Sequence, residues 1–178
     1  MRQSSSAKIK KLITLSMLVA LEIVLNRFLS INTIGTKIGF SFVPIVVAAF
    51  LFGPLAAGAV YALSDFLGAI LFPIGPYFPG FTLCAFLMGF TYGFFLYKKQ
   101  RVGLLKNILP PVLINNAFLG LFVNTVWVSI LYGSKTYWGW FVYRLAEYAL
   151  LIPVSVILIP FILRICEIIK KTVNKPST

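Results

Sequence analysis

Ile38-Gly-Phe-Ser-Phe-Val-Pro-Ile-Val-Val-Ala-Ala-Phe-Leu-Phe-Gly-Pro54, continued by the apolar run Leu55 to Leu71 and by Phe72-Pro-Ile-Gly-Pro-Tyr-Phe-Pro-Gly-Phe-Thr82, decides how the chain folds. It reads as two apolar helices joined at Gly53-Pro54, since proline fits the first turn of a helix, where its missing N–H costs nothing. The second helix carries one acid, Asp65, and a carboxylate inside an apolar span is costly and needs a partner. The Pro/Gly/aromatic loop that follows is stiff and suited to walling a site for a flat molecule. The function is therefore expected at that end of the bundle.

Of the 178 residues, 60% are hydrophobic and 11% charged, more apolar surface than a soluble domain of this size can hide. The class is a polytopic membrane protein in the bilayer. The net charge of +12 comes from 16 basic and 4 acidic residues. The basic residues cluster at segment ends and form no aromatic-interleaved stripe, which argues against nucleic acid. With no histidine, and with Cys84 and Cys166 inside apolar stretches, neither a metal site nor a cofactor is expected. No Gly-rich phosphate loop and no Ser/His/Asp set is present.

Six apolar segments are expected: Ile9 to Phe28, Phe40 to Phe52, Pro54 to Phe72, Gly80 to Tyr97, Leu104 to Tyr132 and Trp138 to Ile169, with a polar break from Ser30 to Gly39. The second is short, and tilted or partly re-entrant. This predicts an all-α integral membrane protein, a single domain over 1–178 with six transmembrane helices in one bundle. The basic groups Arg2, Lys8, Lys10, Lys11, then Lys98, Lys99, Arg101, Lys106, then Arg164, Lys170, Lys171, Lys175 fall on one side of such a bundle. That side is cytoplasmic by the positive-inside rule, so both termini are cytoplasmic.

Four cations remain at the outer side: Arg27, Lys37, Lys135 and Arg144. Orientation does not explain them, and together they suggest a docking point for an anionic ligand. Arg27 and Arg144, within apolar surroundings, are read as ligand groups; Lys37 and Lys135 are read as snorkelling to the headgroups. Asp65 and Glu22 lie in the outer halves of their spans, able to pair within the bundle. Arg144 and Glu147 share a helix face, so Glu147 either pins Arg144 in place or itself faces the ligand, and Asp65 is a ligand-binding candidate with them. Asn116, Gly120, Asn124 and Trp127 are spaced by four, four and three, a face able to hydrogen-bond and stack a planar heterocycle. Tyr77, Phe78 and Trp138 add outer-loop aromatics, although interfacial belts also collect such residues. At the other end, Ser16 and Ala20 form a small-xxx-small surface for close helix contact, and Ala56, Ala57, Gly58 and Ala62 a similar face. Arg27 lies at nearly the same azimuth as Ser16, about 16 Å further along the axis.

Leu25-Asn26-Arg27-Phe28, Phe40-Ser41-Phe42-Val43-Pro44-Ile45, Phe52-Gly53-Pro54 to Asp65, and Pro73 to Thr82 together resemble the substrate-binding S components of energy-coupling factor (ECF) vitamin transporters, and are most similar to the folate-specific ones. The resemblance covers nearly the whole chain. It implies a multi-pass plasma-membrane subunit that binds a folate-like vitamin from outside, between the outer loops and helices. It implies docking through small residues of the first helix onto a membrane scaffold subunit driven by two cytoplasmic ATPase subunits. The family's contact motif is usually two alanines, whereas the first position here is Ser16. Folate suits the residues: a planar pterin for amides and aromatics, and a glutamate tail with two carboxylates for arginines. The alternatives are an S component for riboflavin or thiamine, and a small membrane enzyme using Asp65, Glu22 and Glu147 as acid–base groups.

Overall fold

The computed structural model of the protein describes residues 5–33, 36–98, 103–133 and 136–173. Arg2, Lys99, Arg101, Lys135 and Lys175 lie outside them. Among the described residues, six helices form the bundle: α1 (Ser5–Arg27), α2 (Phe42–Phe52), α3 (Pro54–Leu71), α4 (Pro79–Leu96), α5 (Leu104–Tyr132) and α6 (Tyr137–Val173). Helices α3, α4, α5 and α6 are each long and apolar enough to cross a membrane. The short α2 is shielded instead: Ile45, Val46, Ala48 and Ala49 are fully buried, and it packs against α1, α3, α4 and α6.

The all-α bundle is as expected, with one small addition outside the helices. The polar break between α1 and α2 holds a small antiparallel hairpin, β1 (Ile31–Thr33) and β2 (Thr36–Ile38), with Ile31 opposite Ile38 and Asn32 opposite Lys37. The β-branched residues Ile31, Thr33, Thr36 and Ile38 favour the extended backbone.

Helices alternate in direction. Lys11 at the start of α1 lies over the Phe52 ring at the end of α2, 5.8 Å from its centroid. Gly53 turns the chain with φ at 90° and seats Pro54 at the first turn of α3. At this basic end α3 and α4 touch backbone to backbone: a Cβ at Gly89 would stand 2.5 Å from the Ala57 carbonyl oxygen. The small residues Ala57 and Gly58 are thus used against α4, while Ser16 and Ala20 stay exposed on α1.

Helix α5 departs from regular geometry. Leu104–Ile108 and Ile114–Val123 are π-helical, flanking Pro110 and Pro111 in Leu109–Leu113. Proline removes backbone donors, and hydrogen bonds one residue longer widen the turns. A four-four-three series laid out for an α-helix then no longer keeps its last member on the same face. Helix α6 runs through Pro153 and Pro160 without a break.

Candidate functional site

The end of the bundle away from the basic cluster holds a cavity of about 890 Å³. Its walls come from the C-terminal turns of α1, β2, α3, the loop before α4, and the facing sides of α4, α5 and α6. Arg27, Asp65, Tyr77, Asn116, Asn124, Arg144 and Glu147 all line it. The rise along each helix puts Tyr61, Tyr92, Asn115 and Tyr148 at its floor and Ile74, Gly75, Pro76, Tyr77 and Tyr132 at its mouth.

The two arginines differ. Arg144 is only 5% exposed and tied on three sides. It donates to Thr125 Oγ1 at 3.1 Å and to the Tyr148 hydroxyl at 2.8 Å, and its Nε stands 3.5 Å from Glu147 Oε2, an ion pair in which neither atom has a hydrogen bond among the described residues. Arg27 ends α1 and lies flat over Gly68, where a Cβ would come within 2.9 Å of its Nε. That Nε is buried without a hydrogen-bond partner among the described residues. Arg27 also lines the cavity, where the rest of its guanidinium can take an anion.

Lys37, read from the sequence as a snorkelling residue, also lines the cavity. Burial, with Arg27 beside it, pushes its ammonium down to about 8, against the pull of Glu22, Asp65 and Glu147. The positive-inside count had flagged it as surplus; only the hairpin, which turns β2 over the cavity, brings it inward. Its backbone N–H donates to Glu147 Oε1 at 3.1 Å.

Asparagines supply acceptors. Asn115 donates to the Met88 carbonyl at 3.0 Å, Asn116 to the Val112 carbonyl at 3.0 Å, and Asn26 to Glu22 Oε1 at 2.6 Å. The carbonyl oxygens of Asn26, Asn115 and Asn124 are buried and have no hydrogen-bond partner among the described residues. Glu22 is fully buried and bonded to Asn26 of its own helix, so it does not face the cavity. Asp65 Oδ2 accepts from Thr82 Oγ1 at 2.7 Å, and Thr82 Oγ1 is 3.0 Å from the Tyr77 hydroxyl.

Three expected aromatics stand back from the wall. Trp127 packs on Phe78, ring centroids 5.1 Å apart, and crowds Gly80, so both rings buttress the loop. Trp138 is 67% exposed on the outside, against Tyr137 and Phe141. Gly120 packs under Tyr148 and does not line the cavity. In their place stand Tyr61, Tyr92 and Tyr148, whose signal was a phenol placed mid-span in an otherwise apolar run.

Residues 10–165 match the family described as "ECF transporter, substrate-specific component". The chain belongs to that family. This S component is similar to the folate transporter FolT of Clostridium novyi (strain NT), 43% identical over 152 residues, covering 85% of this chain and 87% of the relative. It is 26% identical over 171 residues to the folate transporter FolT of Leuconostoc mesenteroides subsp. mesenteroides, covering 93% and 90%. Among solved structures, the S component matches FolT bound with folic acid with a TM-score of 0.79 at 34% identity, covering 85% of this chain and 91% of that one. The S component of a bacterial ECF transporter matches with a TM-score of 0.51 at 25% identity, covering 93% and 96%.

Proposed function

We propose that this S component binds folate from outside the cell in the cavity and releases it inward when docked to a membrane scaffold subunit driven by two cytoplasmic ATPase subunits. The observation that carries the reading is the pairing of a cationic wall with unpartnered amide acceptors in one cavity, in a chain 34% identical to a FolT solved with folic acid. The pterin has N–H donors for the carbonyl oxygens of Asn26, Asn115 and Asn124 and a flat face for tyrosines. The glutamate tail has two carboxylates for Arg27 and Lys37. A cationic thiamine would meet repulsion from the same groups.

The exposed basic side chains Lys8, Lys10, Lys11, Lys98, Lys106 and Arg164 support a cytoplasmic placement of the basic end in the plasma membrane, with the cavity facing out. We read residues 1–178 as one membrane domain and Ser16 and Ala20 on the exposed side of α1 as the scaffold contact. The chain then contributes capture, with no chemical step of its own. Protein purified from folate-replete cells tests this directly. Absorbance at wavelengths beyond the tryptophan band, removed by unfolding and dialysis, is expected; a purified chain that never carries or takes up a pterin overturns the reading.

A further inference from the structure

Two cations side by side in an apolar cavity repel each other and need a counter-charge while no ligand is bound. Arg27 and Lys37 both line the cavity. Beyond its burial, the Lys37 ammonium is disfavoured by the Arg27 guanidinium and favoured by the carboxylates of Glu22, Asp65 and Glu147. Of those three, Glu147 is engaged by Arg144, 3.5 Å away, and by the Lys37 backbone N–H, and Glu22 lies behind the wall, bonded to Asn26. Asp65 remains. It lines the cavity, and it stands on α3 three residues before Gly68, on the face over which the Arg27 guanidinium lies. Asp65 nonetheless forms no direct ion pair with either cation among the described residues. Its Oδ2 accepts from Thr82 Oγ1 of α4 at 2.7 Å, a bond that holds the carboxylate beside the two cations and off their donors.

We propose that Asp65 is the resident counter-ion of the anion site: it offsets Arg27 and Lys37 while the cavity is empty and opposes the ligand's carboxylates there, so that no small acid fills the site by charge alone. This role deepens the folate-binding reading and rests on it for the identity of the ligand. A folate tail meets repulsion from Asp65, and the pterin bound deeper in the cavity offsets it. An acid that offers carboxylates without a ring meets the same repulsion with nothing to offset it. Asp65 thus lowers the affinity of every tailed ligand by one factor and leaves only those with a ring bound. At the effective dielectric of a partly hydrated site, one unit charge acting on another across a cavity is worth about tenfold in affinity.

The test uses Asp65→Asn, whose side-chain oxygen still accepts from Thr82 at nearly constant shape. In fluorescence titrations of purified protein, folate should bind this variant about tenfold more tightly than the parent, while a pterin without the glutamate tail should change by less than about twofold. Glutamate and inorganic phosphate should displace folate from the variant at concentrations that leave the parent loaded. The ligand-free melting temperature should fall, because the cations lose their counter-charge. Adding Lys37→Met, which removes one of them, should bring it back up. Tighter binding with a lower ligand-free melting temperature is a pair of opposite signs that a merely structural role does not produce. Weaker binding of both ligands means that Asp65 touches the ring, and overturns the counter-ion. Folate affinity that is unchanged, or raised equally for both ligands, overturns it as well. If Asp65→Asn does not fold, the double variant Lys37→Met/Asp65→Asn is compared with Lys37→Met alone: folate should bind the double variant more tightly, and equal or weaker binding overturns the role. A parent protein that binds no folate refutes the folate reading; the melting-temperature rescue by Lys37→Met then decides the counter-ion by itself, its absence overturning it.

Discussion

Removing the Arg27 side chain should weaken folate binding and little else. Its guanidinium lies over Gly68 with its buried Nε lacking a hydrogen-bond partner among the described residues, so it holds no part of the bundle together through that edge. A guanidinium–carboxylate contact contributes about 1.5–3 kcal/mol per charge-assisted bond. Losing one or two such bonds should raise the dissociation constant by roughly tenfold to a hundredfold, since 1.4 kcal/mol is tenfold. Lysine at position 27 should rescue in part, because it keeps the charge and loses the planar fork. Gly68→Ala offers a second perturbation that leaves every charge in place: its Cβ would come 2.9 Å from the Arg27 Nε and displace the guanidinium, a flexible group, at small cost to the fold. It should weaken folate in the same direction by a smaller factor. The assay is tryptophan-fluorescence titration with folate and with a pterin that lacks the glutamate tail. The tail-less pterin should bind the parent less tightly and respond little to either substitution. Parental folate affinity in Arg27→Ala refutes the reasoning, as does an equal loss for both ligands, which would make Arg27 a prop of the cavity.

Arg144→Ala should behave differently, because it leaves the buried Glu147 without its counter-charge; breaking a buried pair costs about 3–5 kcal/mol, and the melting temperature should fall by roughly 10 °C. Lys37 makes binding pH-dependent: its free-state value of about 8 rises when a carboxylate docks beside it, so folate affinity should be flat below about pH 8 and fall by up to about tenfold per unit above it. The ligand-free fold should respond with the opposite sign, gaining stability from pH 8 upward, because the unfolded chain binds more protons there; Lys37→Met, titrated over the same range, separates this from the ligand's own ionisation. Ala20→Trp, on the exposed side of α1 and far from the cavity, should abolish cellular uptake while leaving the folate titration of purified protein within about twofold.

Span positions were legible because membrane helices announce themselves by length, and because Gly53-Pro54 and the proline cluster at 73–79 punctuate the chain at points the backbone requires. Arg27 and Arg144 were legible for an electrostatic reason: charge on the side where orientation calls for none. What escaped was azimuth. Assigning Asn116, Gly120, Asn124 and Trp127 to one face assumed a regular helix, and the π-helical stretch Ile114–Val123 breaks that assumption: Asn116 and Asn124 still line the cavity, with Asn115 beside them, while Trp127 turns away onto Phe78. The inward reach of Lys37 depends on a hairpin of three-residue strands, too short to be read from alternation, and on a hydrogen bond to Glu147, 110 positions away. Trp138 shows the converse limit, since a tryptophan near a span end satisfies both an interfacial belt and a binding site, and only packing separates them.

The central claim, that this cavity is built for folate, is tested most directly by calorimetric titration of the ligand-free purified chain with folate, riboflavin and thiamine in turn. The account predicts one folate per chain, bound at least about a hundredfold more tightly than either other vitamin, the factor expected from one to two charge-assisted bonds to the glutamate tail. Riboflavin or thiamine binding as tightly as folate, or heat from none of the three, would contradict it.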